Sequence, residues 1–219
     1  MIAARTFAAL AVGFAAAAPL AAPGVLPIAA AGPCPDVELV FARGTNEGPG
    51  LGRVGQALAD TLGPQLGNRS LGVYPVNYPA TYDFLTAADG ATDATNHIAA
   101  MAADCPNTRI ALGGFSQGAA VVSMLAGVSP IPLEGAARFV PPSLSPDLAR
   151  KVAAVTVFGN PASEQGRPLT TTGIFAGRAM DVCDPGDPVC AGGDDVNAHR
   201  TYELGPGPAD AANFIAARV

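Results

Sequence analysis

Short apolar runs alternate with longer, mixed stretches along most of the chain. Strands buried on both faces read as continuous aliphatic runs, so this alternation predicts a mostly parallel sheet covered by helices, a three-layer α/β/α sandwich. The predicted strands are Val37–Ala42, Gly72–Tyr78, Arg109–Leu112, Val152–Phe158 and Arg178–Cys183. The predicted helices are Leu51–Leu66, Thr92–Ala103, Gln117–Leu125 and Ala209–Arg218. The proline-rich segment Ser129–Pro146 has no regular pattern, and we predict a surface loop there.

The first 31 residues differ from the rest of the chain, and we predict that they are a secretory signal peptide. Arg5 is their one charged residue, an apolar run from Phe7 to Ala22 follows, and small residues end the segment at Ala29-Ala30-Ala31. The apolar run is short and broken by proline, which makes an uncleaved membrane anchor the weaker alternative. Cleavage would leave residues 32–219, a length of 219 − 31 = 188 residues that suits one domain.

Composition narrows the class of partner. The net charge is −6, and no basic run or aromatic–basic stripe is present, which argues against nucleic-acid binding. No later apolar run reaches transmembrane length. We therefore expect an extracellular, soluble monomer, either free or retained at the cell wall.

A strand-to-helix turn at residues 114–118 carries the first indication of chemistry. Its sequence, Gly-Phe-Ser-Gln-Gly, fits the G-x-S-x-G pattern, in which a strained turn exposes the serine hydroxyl above a sheet. The backbone N–H of Gln117, at the start of the helix, is a candidate donor to an oxyanion. A plain turn is the alternative, because small residues meet by chance in a chain with 26 glycines. The order strand, turn, helix favours Ser116 as a nucleophile.

Four cysteines lie in the predicted exported part, and an even number there predicts disulfides. Cys183 and Cys190 bracket a tight loop, Asp-Pro-Gly-Asp-Pro-Val, which leaves Cys34 to pair with Cys105. A metal site is the competing interpretation, but the spacing supplies no tetrahedral ligand set. We expect no metal and no cofactor.

The chain has two histidines, and their order relative to Ser116 separates them. In α/β-hydrolases the nucleophile precedes the acid and the histidine, so His199 is the candidate base. His97 precedes the serine and is predicted to be a partly exposed residue of a helix. For His199 an ordinary surface position is the alternative.

The acid has five candidates after Ser116. They are Asp181, Asp184, Asp187, Asp194 and Asp195. The acid must hold the histidine in place, which requires a rigid mount. Asp187 lies between a glycine and a proline inside the short loop that the cysteines close, and it has that mount; turn or helix-cap positions are expected for the others.

Together these motifs resemble the cutinase family of secreted serine esterases, in particular its mycobacterial and actinobacterial members. The resemblance rests on Phe-Ala-Arg-Gly-Thr at 41–45, Gly-Phe-Ser-Gln-Gly at 114–118, the loop 183–190, and His199 followed three residues later by Tyr202. It implies a minimal α/β-hydrolase domain over residues 32–219, with Asp187 as the triad acid and disulfides Cys34–Cys105 and Cys183–Cys190. It also implies that Thr45 is the second oxyanion donor, where the fungal members carry serine.

The resemblance further implies the activity, which is two-step hydrolysis of carboxylic esters by Ser116, His199 and Asp187. Nearly every predicted element is needed for the sheet and its covering helices, so we expect no lid and an open site. The expected substrates are lipid or polyester-like esters with short to medium acyl chains. The expected rim of the site consists of Tyr82, Phe84, Leu85 and Val189.

Three alternatives stay open from the sequence. The same scaffold could transfer the acyl group to a sugar or lipid alcohol instead of water. It could also act as a phospholipase or thioesterase, because the triad does not determine the leaving group. A secreted binding or antigen-like protein without catalysis is the third.

Overall fold

The computed structural model describes Met1, residues 34–130 and residues 143–219. The predicted signal segment therefore lies outside the described residues beyond Met1, as does most of the predicted loop at 129–146. The chain divides into two units after Gly32, and every helix and strand given below belongs to the second, Pro33–Val219.

Five strands and the helices between them make up the described fold. The strands are β1 (Val37–Ala42), β2 (Leu71–Pro75), β3 (Arg109–Phe115), β4 (Val152–Phe158) and β5 (Ala179–Val182). The helices are α1 (Gly52–Gln65), α2 (Ala87–Asp104), α3 (Gln117–Leu125), α4 (Pro146–Ala149), α5 (Pro161–Glu164), α6 (Val196–Arg200) and α7 (Gly207–Ala216). Two 3₁₀ turns lie at Phe84–Thr86 and Tyr202–Leu204.

The sheet has the order β2-β1-β3-β4-β5, and each neighbouring pair is parallel. Helices α2 and α3 pack on one face and α1 and α7 on the other, so the predicted α/β/α architecture is confirmed. Side chains of β1 alternate between the two cores, with Val40 in one and Leu39 and Phe41 in the other. Burying each such side chain stabilises the fold by about 1.5–3 kcal/mol.

The predicted bounds agree best for the most apolar elements. Elements β1, α3 and β4 begin and end at the predicted residues, because they are buried over nearly their whole length. The prediction for β2 ran three residues too far, since the chain leaves the sheet at Val76. Helix α2 begins at Ala87 instead of Thr92, after a 3₁₀ turn that Asp83 caps. The short helices α4, α5 and α6 were not predicted.

The two edges of the sheet are built differently. At the edge where β1 and β3 begin, the Cys34–Cys105 disulfide is formed, and Thr108 Oγ1 donates a hydrogen bond to Pro35 O at 2.6 Å. We call this the amino edge, and the opposite edge, where the parallel strands end, the carboxyl edge. Among the helices of the described residues, none combines the length and the apolar character needed to cross a membrane.

Candidate active site

Ser116 lies at the carboxyl edge, between β3 and α3, in a strained backbone conformation. Its φ is 54° and its ψ is −114°, which places a non-glycine residue in the left-handed region. The turn is held because Ser116 N donates to Phe158 O at 2.9 Å. A Cβ at Gly114 would lie 2.3 Å from Gly118 O, and one at Gly118 would lie 1.9 Å from Ala42 O. The close approach of strand and helix therefore requires both glycines.

The structure brings Ser116, His199 and Asp187 into one line of contacts. Ser116 Oγ lies 2.9 Å from His199 Nε2, and His199 Nδ1 lies 2.8 Å from Asp187 Oδ2. Asp187 is fully buried, and its Oδ1 accepts a hydrogen bond from Val189 N at 2.6 Å. With the proton on Nδ1, the imidazole donates to Asp187 and leaves Nε2 free to accept from the serine hydroxyl.

Asp187 is mounted on the short loop closed by the Cys183–Cys190 disulfide, which is formed as predicted. Its backbone N–H donates to Asp184 O at 3.1 Å, so the loop is tied internally. Burial, and secondarily the charge of Asp187, raise the pKa of the Asp184 carboxyl. The two aspartates of the loop therefore have different surroundings, and His199 contacts Asp187.

Tyr202 adds a contact that the sequence analysis noted only as part of a motif. Its hydroxyl is in the buried interior, donates to Asp187 Oδ2 at 2.6 Å and accepts from Asp184 N at 3.1 Å. Burial, followed by the hydrogen bond to Asp187, raises the pKa of the Tyr202 phenol well above its usual value. The phenol therefore stays protonated and fixes the carboxylate that faces His199. Its spacing of three residues after His199 was the available sequence signal.

The other candidate aspartates have structural partners or lie in solvent. Asp181 accepts hydrogen bonds from Asn160 Nδ2 and from Thr170 N, both at 2.8 Å. Asp195 caps α6, the helix that carries His199, by accepting from two backbone N–H groups of its first turn. Asp194 is exposed.

Gly159, directly after β4, packs against the imidazole of His199. The sequence did not predict this contact. The φ of Gly159 is +56°, and a Cβ there would lie 2.8 Å from His199 Cε1 and 3.2 Å from Asp187 Oδ2. Phe115 supports the imidazole from another side, with ring centroids 5.1 Å apart. A side chain at position 159 would displace the His199 imidazole from its partners.

The loop that carries Thr45 is fixed by two charged residues. Arg43, which is nearly fully buried, donates to Tyr78 O at 2.6 Å and to Glu47 O at 2.9 Å. Glu47 Oε2 accepts from Gly44 N at 2.7 Å. These contacts explain why the stretch after β1 contains an arginine, and they hold the backbone of Thr45 beside Ser116.

Two backbone N–H groups beside the serine are free to bind a ligand. Across residues 34–130 and 143–219, neither Thr45 N–H nor Gln117 N–H donates a hydrogen bond. Gln117 is the first residue of α3, where backbone N–H groups lack a helical partner. Both groups are therefore available for the oxygen of a tetrahedral intermediate.

Two clefts open beside Ser116, and Thr45 borders both. The larger has a volume of about 1130 Å³, and we call it the polar cleft because charged side chains border it. Its lining includes Glu47, Arg53, Asp60, Arg200 and Glu203 together with the apolar Leu51, Phe115, Pro188 and Val196. The smaller, the apolar cleft, has a volume of about 570 Å³, and its lining includes Phe84, Ala87, Ala120, Met124, Pro161 and Val189. Of the predicted rim, Phe84 and Val189 thus border the apolar cleft.

The remaining rim residues are distributed unevenly. Tyr82 borders the polar cleft and is mostly exposed. Leu85 is exposed and borders neither cleft. Among the described residues, no group of three His, Cys, Asp or Glu side chains is arranged to bind a metal ion.

His97 lies outside the site, on α2, as predicted. It is partly buried, its Nε2 lies 2.9 Å from Glu38 Oε2, and its ring stacks on Tyr74 with centroids 3.4 Å apart. These contacts tie α2 to β1 and β2.

A parallel sheet with a serine on the tight turn between β3 and α3 defines the class of α/β hydrolases. Residues 33–219 match the family model described as Cutinase, and the chain belongs to the cutinase family and is a carboxylic ester hydrolase.

Relatives of known name agree with this assignment. The chain is 46% identical over 212 residues to Phospholipase Culp4 of Mycobacterium tuberculosis, covering 96% of this chain and 90% of the relative. It is 46% identical over 196 residues to Probable carboxylesterase Culp3 of the same organism, covering 88% and 72%. Among solved structures, a Trichoderma reesei cutinase in complex with a phosphonate inhibitor is 34% identical with a TM-score of 0.65, covering 84% of this chain and 77% of that chain.

Proposed function

We propose that the protein is a secreted serine esterase that hydrolyses short- to medium-chain acyl esters through an acyl-enzyme on Ser116. His199 accepts the proton of Ser116 Oγ during attack on the ester carbonyl and then donates it to the leaving alcohol. Asp187 stabilises the imidazolium, and water releases the acyl group by the same steps in reverse. The line of contacts from Ser116 Oγ to His199 Nε2 (2.9 Å) and from Nδ1 to Asp187 Oδ2 (2.8 Å) carries this proposal.

The backbone N–H groups of Thr45 and Gln117 bind the oxyanion in this mechanism. Each is free of other acceptors in the described part of the chain and lies beside Ser116, which supports the role. Loss of one such donor typically costs about 2.7–4 kcal/mol of transition-state stabilisation. No cofactor enters any step.

The apolar cleft supports an acyl chain as its occupant. Phe84, Met124 and Val189 offer apolar contact directly beside Ser116. Nearly every predicted element is needed for the sheet and its covering helices, so we expect hydrolysis without activation at a lipid surface. Lipid or polyester-like esters therefore fit the site.

Export is part of the same proposal. Two disulfides are formed, which is typical of proteins that fold in an oxidising compartment. The predicted signal peptide at residues 1–31 provides the route. A monomer is sufficient, because each proposed catalytic group comes from one chain.

A phospholipid is the second candidate substrate. It is favoured by one observation, the 46% identity to a relative named Phospholipase Culp4. Such a substrate would present the same acyl ester to Ser116 but would carry a phosphate on the leaving alcohol.

The test of the proposed function is replacement of the nucleophile. Ser116→Ala is expected to lower the hydrolysis of p-nitrophenyl butyrate by more than about a thousandfold, since the triad acts as a unit. The matched control is Ser70→Ala, because Ser70 lies at the amino edge, where its hydroxyl donates to Asp36. The wild type and the control should be labelled by a fluorophosphonate probe, and Ser116→Ala should not. A folded Ser116→Ala protein with the wild-type rate would refute the proposal.

A further inference from the structure

We propose that Glu47 is a positioning residue for the proposed oxyanion donor Thr45, and that it acts through one hydrogen bond to the backbone of Gly44. Residues 43–47 are called the Thr45 loop below. The inference rests on the proposed function, because it concerns one of the two donors that bind the oxyanion there. It adds the side chain that keeps this donor directed at the ester.

The N–H of Thr45 is flanked by two backbone N–H groups that are already bound. On one side, Gly44 N donates to Glu47 Oε2 at 2.7 Å. On the other side, Asn46 N donates to Ala80 O at 2.6 Å. The peptide units before and after the Gly44–Thr45 peptide are therefore both held. A donor that is aimed in advance costs no reorganisation when charge develops on the ester oxygen.

Gly44 is the residue of the Thr45 loop whose backbone most needs an external restraint. A Cβ at this position would lie 2.6 Å from Phe115 Cδ1, and the Phe115 ring packs against the imidazole of His199. Glycine places few steric limits on φ and ψ, so the backbone turns easily there. Such a turn would direct the Thr45 N–H away from the ester. The hydrogen bond from Gly44 N to Glu47 supplies the restraint that a side chain at position 44 cannot.

Glu47 is itself anchored to the first turn of helix α1. Its Oε1 accepts from Arg53 N at 2.9 Å, whereas the N-cap residue, Leu51, offers no side-chain acceptor. Its backbone carbonyl accepts from Arg43 Nε at 2.9 Å. The side chain is 13% exposed, so water has little access to these bonds. The carboxylate thus connects the backbone of Gly44 to a rigid element.

The negative charge of Glu47 cannot be what assists the reaction. A carboxylate close to a developing oxyanion raises its free energy by Coulomb repulsion. If the charge were the main influence of Glu47 on the rate, a neutral replacement would raise kcat. The positioning role predicts a fall in kcat whenever the acceptor for Gly44 N is lost, so the two effects have opposite signs.

The experiment compares two neutral replacements of nearly the same length. Glu47→Met removes both carboxylate oxygens, whereas Glu47→Gln keeps one acceptor oxygen for Gly44 N. Acylation and deacylation both pass through a tetrahedral intermediate, so we expect Glu47→Met to lower kcat for p-nitrophenyl butyrate by at least about tenfold. KM should stay within about twofold of the wild type, and Glu47→Gln should keep kcat within about threefold.

Inhibition by n-butylboronic acid tests the same donor without turnover. Ser116 Oγ adds to the trigonal boron, its proton passes to His199, and the tetrahedral adduct presents a negative oxygen, as a transition-state analogue does. We expect Glu47→Met to raise Ki by about the factor by which it lowers kcat, and Glu47→Gln to keep Ki near the wild-type value.

Two further variants control for stability. Asp36→Ala is the matched control, because Asp36 accepts from Ser70 N at 2.7 Å at the amino edge. It removes the same kind of bond away from the site, so it should lower Tm and keep both kcat and Ki. If Glu47→Met does not fold, Glu47→Asp replaces it, since it keeps the charge but withdraws the carboxylate from Gly44 N by one methylene group. Wild-type kcat in Glu47→Asp would then overturn the inference.

The outcomes separate this inference from the proposed function. Full activity in a folded Ser116→Ala protein would overturn the proposed function. If Ser116→Ala is inactive but Glu47→Met keeps or exceeds the wild-type kcat, only the role of Glu47 is wrong. Equal losses in Glu47→Met and Glu47→Gln would mean that the charge is required and not the acceptor, and a rise in KM alone would assign Glu47 to substrate binding. Either result would overturn the inference.

The pH profile of kcat/KM excludes an indirect route through the proposed base. Arg53 Nη1 donates to Arg200 O at 3.0 Å, directly after His199 in the chain, so Glu47 could affect the histidine through Arg53. The positioning role leaves His199 unchanged, and we expect Glu47→Met to keep the wild-type midpoint of the profile. A shifted midpoint would overturn the inference, because Glu47 would then act on the base.

Discussion

The two edges of the sheet differ in what their contacts do: those of the amino edge stabilise the fold, whereas the carboxyl edge carries the candidate active site. At the amino edge Cys34–Cys105 joins the approaches to β1 and β3, and Asp36 accepts hydrogen bonds from Ser70 N and Oγ. These hydrogen bonds lower the pKa of the Asp36 carboxyl, so its charge is stabilised in the folded state. The disulfide and these hydrogen bonds both stabilise the fold.

The carboxyl edge accumulates unfavourable features instead. Among the described residues, the non-glycine positions with positive φ are Asn46, Ala80 and Ser116, and all three lie here. Asn46 N donates to Ala80 O, which ties the Thr45 loop to the segment after β2. Burial and a neighbouring charge raise the pKa of Asp184 at this edge. Among the described residues, backbone strain at non-glycine positions is thus concentrated where the ester would react.

The largest expected effect separates the two aspartates of the loop 183–190. Asp187→Asn should lower kcat by about ten-thousandfold, because the wrong imidazole tautomer then faces Ser116. Asp184→Asn removes a carboxyl that makes no hydrogen bond to the histidine and should keep kcat within a few-fold of wild type. Steady-state kinetics on p-nitrophenyl butyrate provide the measurement. The opposite pattern, with Asp184→Asn inactive, would show that the acid is misassigned.

The next effect compares the two disulfides, one at each edge. Changing Cys34 and Cys105 to serine should cost about 4 kcal/mol of unfolding free energy, a drop in Tm on the order of 10 °C, with kcat retained. Changing Cys183 and Cys190 to serine opens a short loop and should cost at most about 2.5 kcal/mol.

The short-loop variant should nevertheless lose about a hundredfold in kcat, because a displacement of about 1 Å in Asp187 misplaces His199. Turnover measured beside Tm for both double variants tests the contrast. Wild-type turnover in the Cys183/Cys190 variant would mean that Tyr202, rather than the disulfide, positions the acid.

The smallest effect concerns pH, and its sign should differ between the edges. The lowered pKa of Asp36 contributes stability that is present above the unfolded pKa and lost as pH falls, so Asp36→Asn should lower Tm at pH 7. The raised pKa of Asp184 contributes stability that is present in acid and lost as pH rises, so Asp184→Asn should raise Tm slightly at pH 7. Both differences should shrink below about pH 4. Thermal melts at pH 3 and pH 7 measure them, and equal signs at pH 7 would contradict the comparison.

Sequence patterns predicted the fold well where burial is continuous. The apolar runs of β1, α3 and β4 predicted the first and last residues of these elements correctly. A continuous apolar run is buried along its whole length, so its ends mark the ends of the element. Helix α6 escaped prediction, because five residues are too few for a helical period to be visible. Its start depends on the Asp195 cap, a feature that sequence alone cannot distinguish from a turn.

The candidate site was predictable in its chemistry and less so in its supports. Ser116, His199 and Asp187 follow from a motif, a chain order and a rigid loop, and the structure brings them together, while their roles stay predictions. Gly159 was missed because its contact with His199 joins positions 40 residues apart and involves no side chain of its own. The difference between the two clefts was missed for the same reason, since the polar lining comes from several distant segments.

The backbone conformation of Ser116 lowers the stability of the fold, whereas its hydroxyl is needed for the proposed activity. A non-glycine residue held at φ 54° and ψ −114° costs on the order of 1–3 kcal/mol. Glycine would relieve that cost but would remove the hydroxyl on which the proposed chemistry depends. The proposed hydrolysis therefore requires serine at a position where glycine would be less strained. A descendant released from catalysis could become more stable simply by losing its serine, as the trade-off between stability and function predicts.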